Sequence, residues 1–307
     1  MTRRTGNLAL VFLAGMLLLG ACEKDTQKKA ERVPVRQQEL LIGLIPEQNV
    51  FRQRERYTAL KTYLSERLGV TVNFTSLSRY GNIVERFNAE KMDGAFFGSF
   101  TFALANSQIG VEAIARPVNI DGSSTYAGYL FVRRDSGIRT ATDMRGKRFA
   151  FVERATTAGY LFPLAWFREH GIDQPQTWFR EMFFTGSHDA AILAVLNHEA
   201  DIGAAKNTIY EQLAAENPRI RKELLLLATS SVVPQNCLGV RKDLDPQLKR
   251  SLKKVLLEMD KDPEGIDVLK RFGALGFTET TIRDYDYLHR LAAEVGIDLK
   301  TYRYKNE

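Results

Sequence analysis

Cysteine is nearly absent: the 307 residues hold two, Cys22 and Cys237. A disulfide framework is therefore excluded, and the fold must rest on its core. Histidine is scarce as well, and the four present, His170, His188, His198 and His289, lack metal-ligand spacing. The chain has no G-x-S-x-G elbow, no Gly-rich phosphate loop and no H-E-x-x-H pair, so the usual sequence signs of catalysis are missing. The expectation is a protein that is not an enzyme and uses neither a metal nor a cofactor. Beyond Leu19, no apolar run approaches the roughly 20 residues a membrane helix needs. Charge of one sign does not accumulate either: 43 Lys and Arg face 37 Asp and Glu, scattered along the chain. Removing Arg3 and Arg4 from the formal +6 leaves +4, a mild bias toward anions that excludes a nucleic-acid footprint.

What is present begins with a sorting signal. Arg3 and Arg4 precede the apolar run Leu8–Leu19, too short to span a bilayer, and small residues lead to Leu19-Gly20-Ala21-Cys22. That ending resembles a bacterial lipobox. The resemblance implies cleavage after residue 21 and lipid on Cys22, hence an exported, periplasmic protein anchored to a membrane. Residues 22–39 are polar and free of aromatics, a tether too poor in apolar side chains to pack.

From Leu40 onward, apolar strands alternate with amphipathic helices. Leu40–Ile45 is a buried-strand run halted by Pro46, and Tyr57, Leu60, Leu64 and Leu68 follow at helical spacing until Gly69. The alternation continues through strands at 129–133, 148–152, 178–184, 200–205, 224–229 and 237–241, with a helix expected over 157–170. After Asp245-Pro246 the rest of the chain reads as helical. Strands separated by helices predict an α/β fold with mostly parallel sheets and flanking helices. Roughly 285 residues after the signal suit two lobes. Chain crossings near 126–128 and 231–237 would divide them into 40–126 plus 238–307 and 127–237, a hinge topology suited to closure on a ligand.

Donors cluster at the strand-to-helix turns. Thr156, Thr157, Ala158 and Gly159 follow the strand Arg148–Val152 and open a helix, where free amides and the macrodipole favour an anion. There the two hydroxyls add donors, and the small residues let an oxyanion approach. Ser187-His188 opens a second helix, and a His can donate to an oxyanion. Asp201 and Asn207 bracket the next strand. Carboxyl ends of strands are where open α/β sheets hold ligands.

Ala155-Thr-Thr-Ala-Gly-Tyr-Leu-Phe-Pro163 resembles the Asn-Ser-Thr-Ser-Gly-x-Leu-x-Pro signature of the phosphate/phosphite/phosphonate binding proteins of ABC importers. The blocks His188-Asp-Ala-Ala-Ile-Leu-Ala-Val-Leu-Asn, Ala200-Asp-Ile, Glu55-Arg-Tyr-x-x-Leu-x-x-Tyr-Leu and Asp143-Met-Arg-Gly-Lys are similar to that family too. The resemblance implies a two-lobed type II periplasmic binding protein that captures a small anionic solute for a membrane permease and ATPase. It carries the oxyanion contacts onto Thr156, Thr157 and Ala158, with His188 and Asp201 beside them. Rings from the first lobe fall on Tyr80 and near Phe97, before Gly98-Ser99. Ala158 and Phe97 depart from the family by lacking a hydroxyl. Lys206-Asn207-Thr208 stands where relatives that recognise an aminoalkyl group carry an acidic residue, which disfavours a cationic tail. The alternative reading is the same lipid-anchored body reporting to a membrane kinase or chemoreceptor.

Overall fold

The computed structural model describes residues 39–80 and 83–303. The expected signal, Cys22 and all of the tether except Glu39 lie outside the described residues.

Glu39 already belongs to β1 (Glu39–Leu44), which leads to α1 (Val50–Leu68) and β2 (Thr71–Ser76). Asn49 caps α1 by accepting from the Phe51 N–H, and Gly69 ends it at a φ of 66°. Next come α2 (Ile83–Ala89), β3 (Gly94–Phe97), α3 (Ser99–Ile109), β4 (Glu112–Val118) and the short β5 (Thr125–Tyr126). The middle of the chain forms β6 (Gly128–Arg133), β7 (Arg148–Phe151) and a π-helical turn at Thr157–Leu161 that runs into α4 (Phe162–Glu169). It continues with α5 (Pro175–Trp178), β8 (Glu181–Phe184), α6 (His188–Leu196) and β9 (Ile202–Lys206). Two helices, α7 (Asn207–Glu216) and α8 (Arg219–Glu223), precede β10 (Leu224–Thr229). The chain then returns through β11 (Val233–Pro234) and β12 (Cys237–Val240) to α9 (Pro246–Leu257), α10 (Pro263–Phe272), β13 (Gly276–Glu279) and α11 (Asp286–Glu294).

These strands build two sheets within one compact unit, Gln37–Glu307. The first runs β13-β4-β12-β3-β1-β2 and the second β10-β6-β9-β7-β8, while β5 and β11 pair as a ribbon between them. Helices flank both sheets, as the α/β reading expects. Strand direction differs from the expectation of mostly parallel sheets. β1 runs parallel to β2 and β3, and β7 to β8 and β9, but β12, β13, β6 and β10 pair antiparallel. The ribbon supplies the reason for β6 and β12. Each enters its sheet straight from the ribbon, so it begins where neighbouring strands end: Cys237 lies opposite Phe97, and Gly128 opposite Lys206.

Alternation sets the layers. Leu40, Ile42, Leu44 and Phe96 pack on the α1 face formed by Tyr57, Leu60 and Leu64, together with residues of α9 and α10. The neighbouring Phe97 points the other way, toward Phe87, Phe102 and α11. In the second sheet Phe149 and Phe151 meet Phe167 and Phe179, while Ala150 faces Ile192 and Val195 of α6.

Two local expectations fail for identifiable reasons. Residues 178–184 were expected as one strand, but Pro175 at the first helical position starts α5, and only Glu181–Phe184 remains extended. β13 interrupts the expected helical tail: four residues are too few to show a period, and β4 supplies the partner strand. The tail contacts helices packed on both sheets. Arg168 donates to the Glu294 carbonyl, the Tyr302 hydroxyl donates to the Arg154 carbonyl at 3.3 Å, and Gln108 of α3 donates to the Leu299 carbonyl at 2.8 Å.

Leu60 is fully buried at the centre of the α1 layer. Leu60→Ala should cost about 2–5 kcal/mol, transfer and cavity terms together. Urea melts showing a change below the low end of that range would contradict this packing.

Candidate ligand site between the lobes

The lobes are closed on one another through bonds from loops and helix starts. The Phe100 N–H of α3 donates to Thr157 Oγ1 at 3.1 Å. The His188 N–H donates to the Glu47 carbonyl at 3.2 Å, and the Asn49 N–H to Asp189 Oδ2 at 3.0 Å. Lys206 Nζ donates to Glu47 Oε1 at 2.9 Å and to Asn236 Oδ1 at 3.2 Å, and it sits 4.4 Å above the Tyr126 ring.

Inside this interface lie Tyr80, Thr156, Thr157, Ala158 and His188, all buried. The Tyr80 and His188 rings meet edge to face with centroids 6.2 Å apart. Tyr80 and Ala158 share one apolar cluster with Phe97, Tyr126 and Ala155. The Tyr80 hydroxyl is buried and has no hydrogen-bond partner among the described residues. Burial, and after it the Glu47 charge, push this phenol well above its ordinary pKa, so it is a donor. His188 Nδ1 accepts from the Lys206 N–H at 3.1 Å. In the neutral ring that leaves Nε2 to carry the proton and donate. Burial dominates its titration and lowers it to about 4 despite the nearby Glu47.

The π-helical turn contributes amides. Its first bonds back along the chain run from the Leu161 N–H to Thr156 O at 3.1 Å and from the Phe162 N–H to Thr157 O. The amides of 157–160 therefore belong to the opening turn, the part of a helix that has no partner within it.

Several expected contacts have other occupations. Asp201 is at the wrong end of its sheet: its Oδ2 accepts from the Arg148 N–H at 2.8 Å, where the parallel strands β7 and β9 begin. It fastens those strands, away from the carboxyl ends that carry Thr157 and His188. Asn207 ties the ribbon to β9, with its Oδ1 accepting from the Ala127 N–H at 3.0 Å. Ser99 Oγ donates to the Pro234 carbonyl at 2.6 Å and lies 2.9 Å from the Tyr126 hydroxyl, so it secures the same ribbon. Thr156 Oγ1 bonds the Glu153 carbonyl at 2.6 Å and closes its own turn. Phe97 is fully buried behind the site, against Phe87 and Phe102. Gly159 is required for packing: a Cβ there would lie 2.4 Å from Val152 Cγ2.

Sequence reading left out Glu47, Tyr126 and Asn236, and it treated Lys206 only as a departure from a family pattern. Lys206 closes an otherwise apolar strand, Ile202-Gly-Ala-Ala, and a charge there signals an interior partner. Burial raises the Glu47 carboxyl, but the Lys206 ammonium outweighs it and the net direction is down. Burial depresses the Lys206 ammonium, and Glu47 offsets only part of that. The two form a buried ion pair.

Two α/β lobes with a paired ribbon define a periplasmic binding protein fold, and comparison with known proteins agrees. The family model described as "ABC transporter, phosphonate, periplasmic substrate-binding protein" matches residues 42–285. The chain belongs to that family and is a substrate-binding protein of an ABC importer. It is 26% identical to the phosphonates-binding periplasmic protein of Escherichia coli, over 83% of this chain and 74% of the relative. It is also 26% identical to the phosphate-import protein PhnD of Mycolicibacterium smegmatis, over 77% of each. Among solved structures, a binding-protein component of a phosphonate transporter from Pseudomonas aeruginosa superposes with a TM-score of 0.78 at 21% identity. The overlap covers 84% of this chain and 87% of that one. PhnD1 from Prochlorococcus marinus, in complex with methylphosphonate, gives 0.76 at 23% identity, covering 84% and 98%.

The lowered His188 pKa has a consequence for stability. In the unfolded chain the ring titrates near ~6.5, so between that value and about 4 the unfolded state binds more protons. The contribution of the neutral ring is complete above ~6.5 and is lost as pH falls toward 4. Between pH 7 and 4.5 the wild type should lose about 2–3 kcal/mol more than His188→Gln. Parallel pH slopes in denaturant melts would contradict a buried neutral ring.

Proposed function

We propose that the protein captures a compact tetrahedral oxyanion of the phosphonate, phosphite or phosphate class where Tyr80, His188 and the turn at 157–160 meet. The observation that carries this reading is the buried Tyr80 hydroxyl, which has no partner among the described residues, beside a ring whose remaining nitrogen must donate. A phenol left unbonded in a closed interior costs stability unless a ligand completes it. Donors from Tyr80 on one lobe and from His188 and the turn amides on the other would surround an anion. In a dehydrated site those charge-assisted bonds are strong. The names of the relatives, which include a phosphate importer and a methylphosphonate complex, support the same chemical class. Thr157 acts in this reading by tying the lobes through Phe100 N–H, and Ala158 and Gly159 keep the turn close to Tyr80.

Binding requires that the lobes part. Residues 40–126 with 238–307 form the first moving body in this proposal and 127–237 the second, turning about the β5–β11 ribbon. The closed form then presents both lobes to a permease and its ATPase, with no chemistry done on the solute. Lipid on Cys22, after loss of residues 1–21, would hold the protein at the membrane, as the lipobox-like ending supports. The sensing alternative gains no support from the relatives.

Calorimetry on protein beginning at residue 23, titrated with phosphate, phosphite and methylphosphonate, tests the ligand class. At least one should bind, and heat from none of them would remove it. Tyr80→Phe should weaken that ligand by about 1–3 kcal/mol. The ligand-free melting temperature should stay level or rise, because the hydroxyl removed bonds nothing in the protein. Undiminished affinity would displace Tyr80 from the site.

A further inference from the structure

The segment that follows α11 is tied to both lobes. On the first lobe, Gln108 Nε2 of α3 donates to the carbonyls of Leu299 at 2.8 Å and Tyr302 at 3.2 Å, and Arg303 Nη1 donates to Gln108 Oε1 at 2.9 Å. The Tyr302 ring lies 5.9 Å from that of Phe100, also on α3. Asp298 stiffens the segment: its carboxylate accepts from the Lys300 N–H and the Thr301 hydroxyl, and its carbonyl from the Tyr302 N–H. On the second lobe, Arg168 of α4 donates to the Glu294 carbonyl, and the Tyr302 hydroxyl donates to the Arg154 carbonyl at 3.3 Å. Between these ends Ile297 packs on two apolar clusters, the one that holds Leu288 and Leu291 and the one built on Phe149 and Phe167.

The placement of Tyr302 decides what opening must break. Arg154 stands shortly before Thr157, and Thr157 Oγ1 accepts from the Phe100 N–H. Tyr302 lies against the Phe100 ring and bonds the Arg154 carbonyl, so it spans the same gap as that bond. An opening that parts α3 from the turn at 157–160 therefore breaks one of the two Tyr302 contacts. The seam is also built to release. A cavity of about 440 Å³ remains beside the segment, lined by Leu164, Arg168 and Ile172 on one side and by Val295, Ile297 and Tyr302 on the other. A permanent interior leaves little such space. Arg168 is exposed, so water takes over its bond to the Glu294 carbonyl when the two separate. Neither Tyr80 nor His188 borders this cavity.

We propose that residues 294–303 form a strap that holds the lobes closed and so sets how long a captured solute stays. The strap acts on the opening equilibrium alone. Apparent affinity scales with the fraction of protein in the closed form, so every solute gains by the same factor. This rests on the reading of two lobes that part about the β5–β11 ribbon, and adds a second link between them away from the residues proposed to meet the solute.

The double variant Arg168→Ala/Tyr302→Ala, in the chain from residue 23 onward, removes both polar crossings and the ring on Phe100. Stopped-flow measurements should show phosphite and methylphosphonate each leaving the variant roughly tenfold faster, with association within about twofold of the wild type. Small-angle scattering should give the variant a larger radius without ligand and the wild-type radius once either solute is bound. If this variant does not melt cooperatively, Arg168→Met/Tyr302→Phe keeps the stem and the ring, and dissociation should still rise by roughly threefold. Wild-type dissociation rates together with a wild-type ligand-free radius, in a variant that melts cooperatively, would overturn the strap. So would a loss confined to one of the two solutes, the mark of direct contact, or a loss carried by slower association. If the wild type binds neither solute, the oxyanion reading fails, and the ligand-free radii still decide the strap.

Discussion

One backbone amide constrains much of the interface. The Lys206 N–H bonds His188 Nδ1 and so fixes which imidazole nitrogen holds the proton. A ring held neutral by burial can then offer only a donor from Nε2, which suits an oxyanion and suits a cation badly. The same residue carries an ammonium that cannot remain in this interior alone, and Glu47 of the other lobe answers it. Tautomer, ion pair and lobe closure are thus linked through Lys206, at the point where β9 becomes α7.

Closure is assembled from many small polar contacts. The Ser99 and Thr156 hydroxyls, which looked like ligand donors, donate instead to carbonyls of the ribbon and of a turn, and the Thr157 oxygen accepts from the Phe100 N–H of α3. A buried hydroxyl needs a partner, and the nearest one is usually protein. Tyr80 is the exception in this group, which is why its hydroxyl is informative and theirs are not. The bonds also distribute the holding force: no contact is large, and several are exposed enough that water competes for them, as at Asn49 and Asp189. In the proposed opening, such bonds would exchange for water without either sheet unfolding.

Much of the architecture was legible in order along the chain. Tyr57, Leu60 and Leu64 show the face of α1, and Phe149, Ala150 and Phe151 show a strand buried on both sides, because each period is written in neighbouring residues. The β5–β11 ribbon pairs Tyr126 with Val233 and Thr125 with Pro234. The site was legible in part. His188 and the 156–159 turn stand out because a polar group just before an apolar helix is a local pattern. Glu47 follows Pro46 in what looks like an ordinary loop, and nothing local marks it as the counter-ion of a residue 159 positions away. Asp201 entered the site only through the family pattern, although it opens β9 and so stands away from that strand's carboxyl end.

By itself the sequence determined the α/β class, the helix and strand faces, the family to which the chain belongs and the segments that gather donors. These depend on periodicity and on motifs contained within a few residues. Only the tertiary structure decided strand direction in β6 and β12, the bond of Asp201 to the Arg148 N–H, and the meeting of Tyr80, His188, Glu47 and Lys206. Those facts depend on which distant segments share an interior, and there each polar group takes whichever partner the closed lobes place within reach.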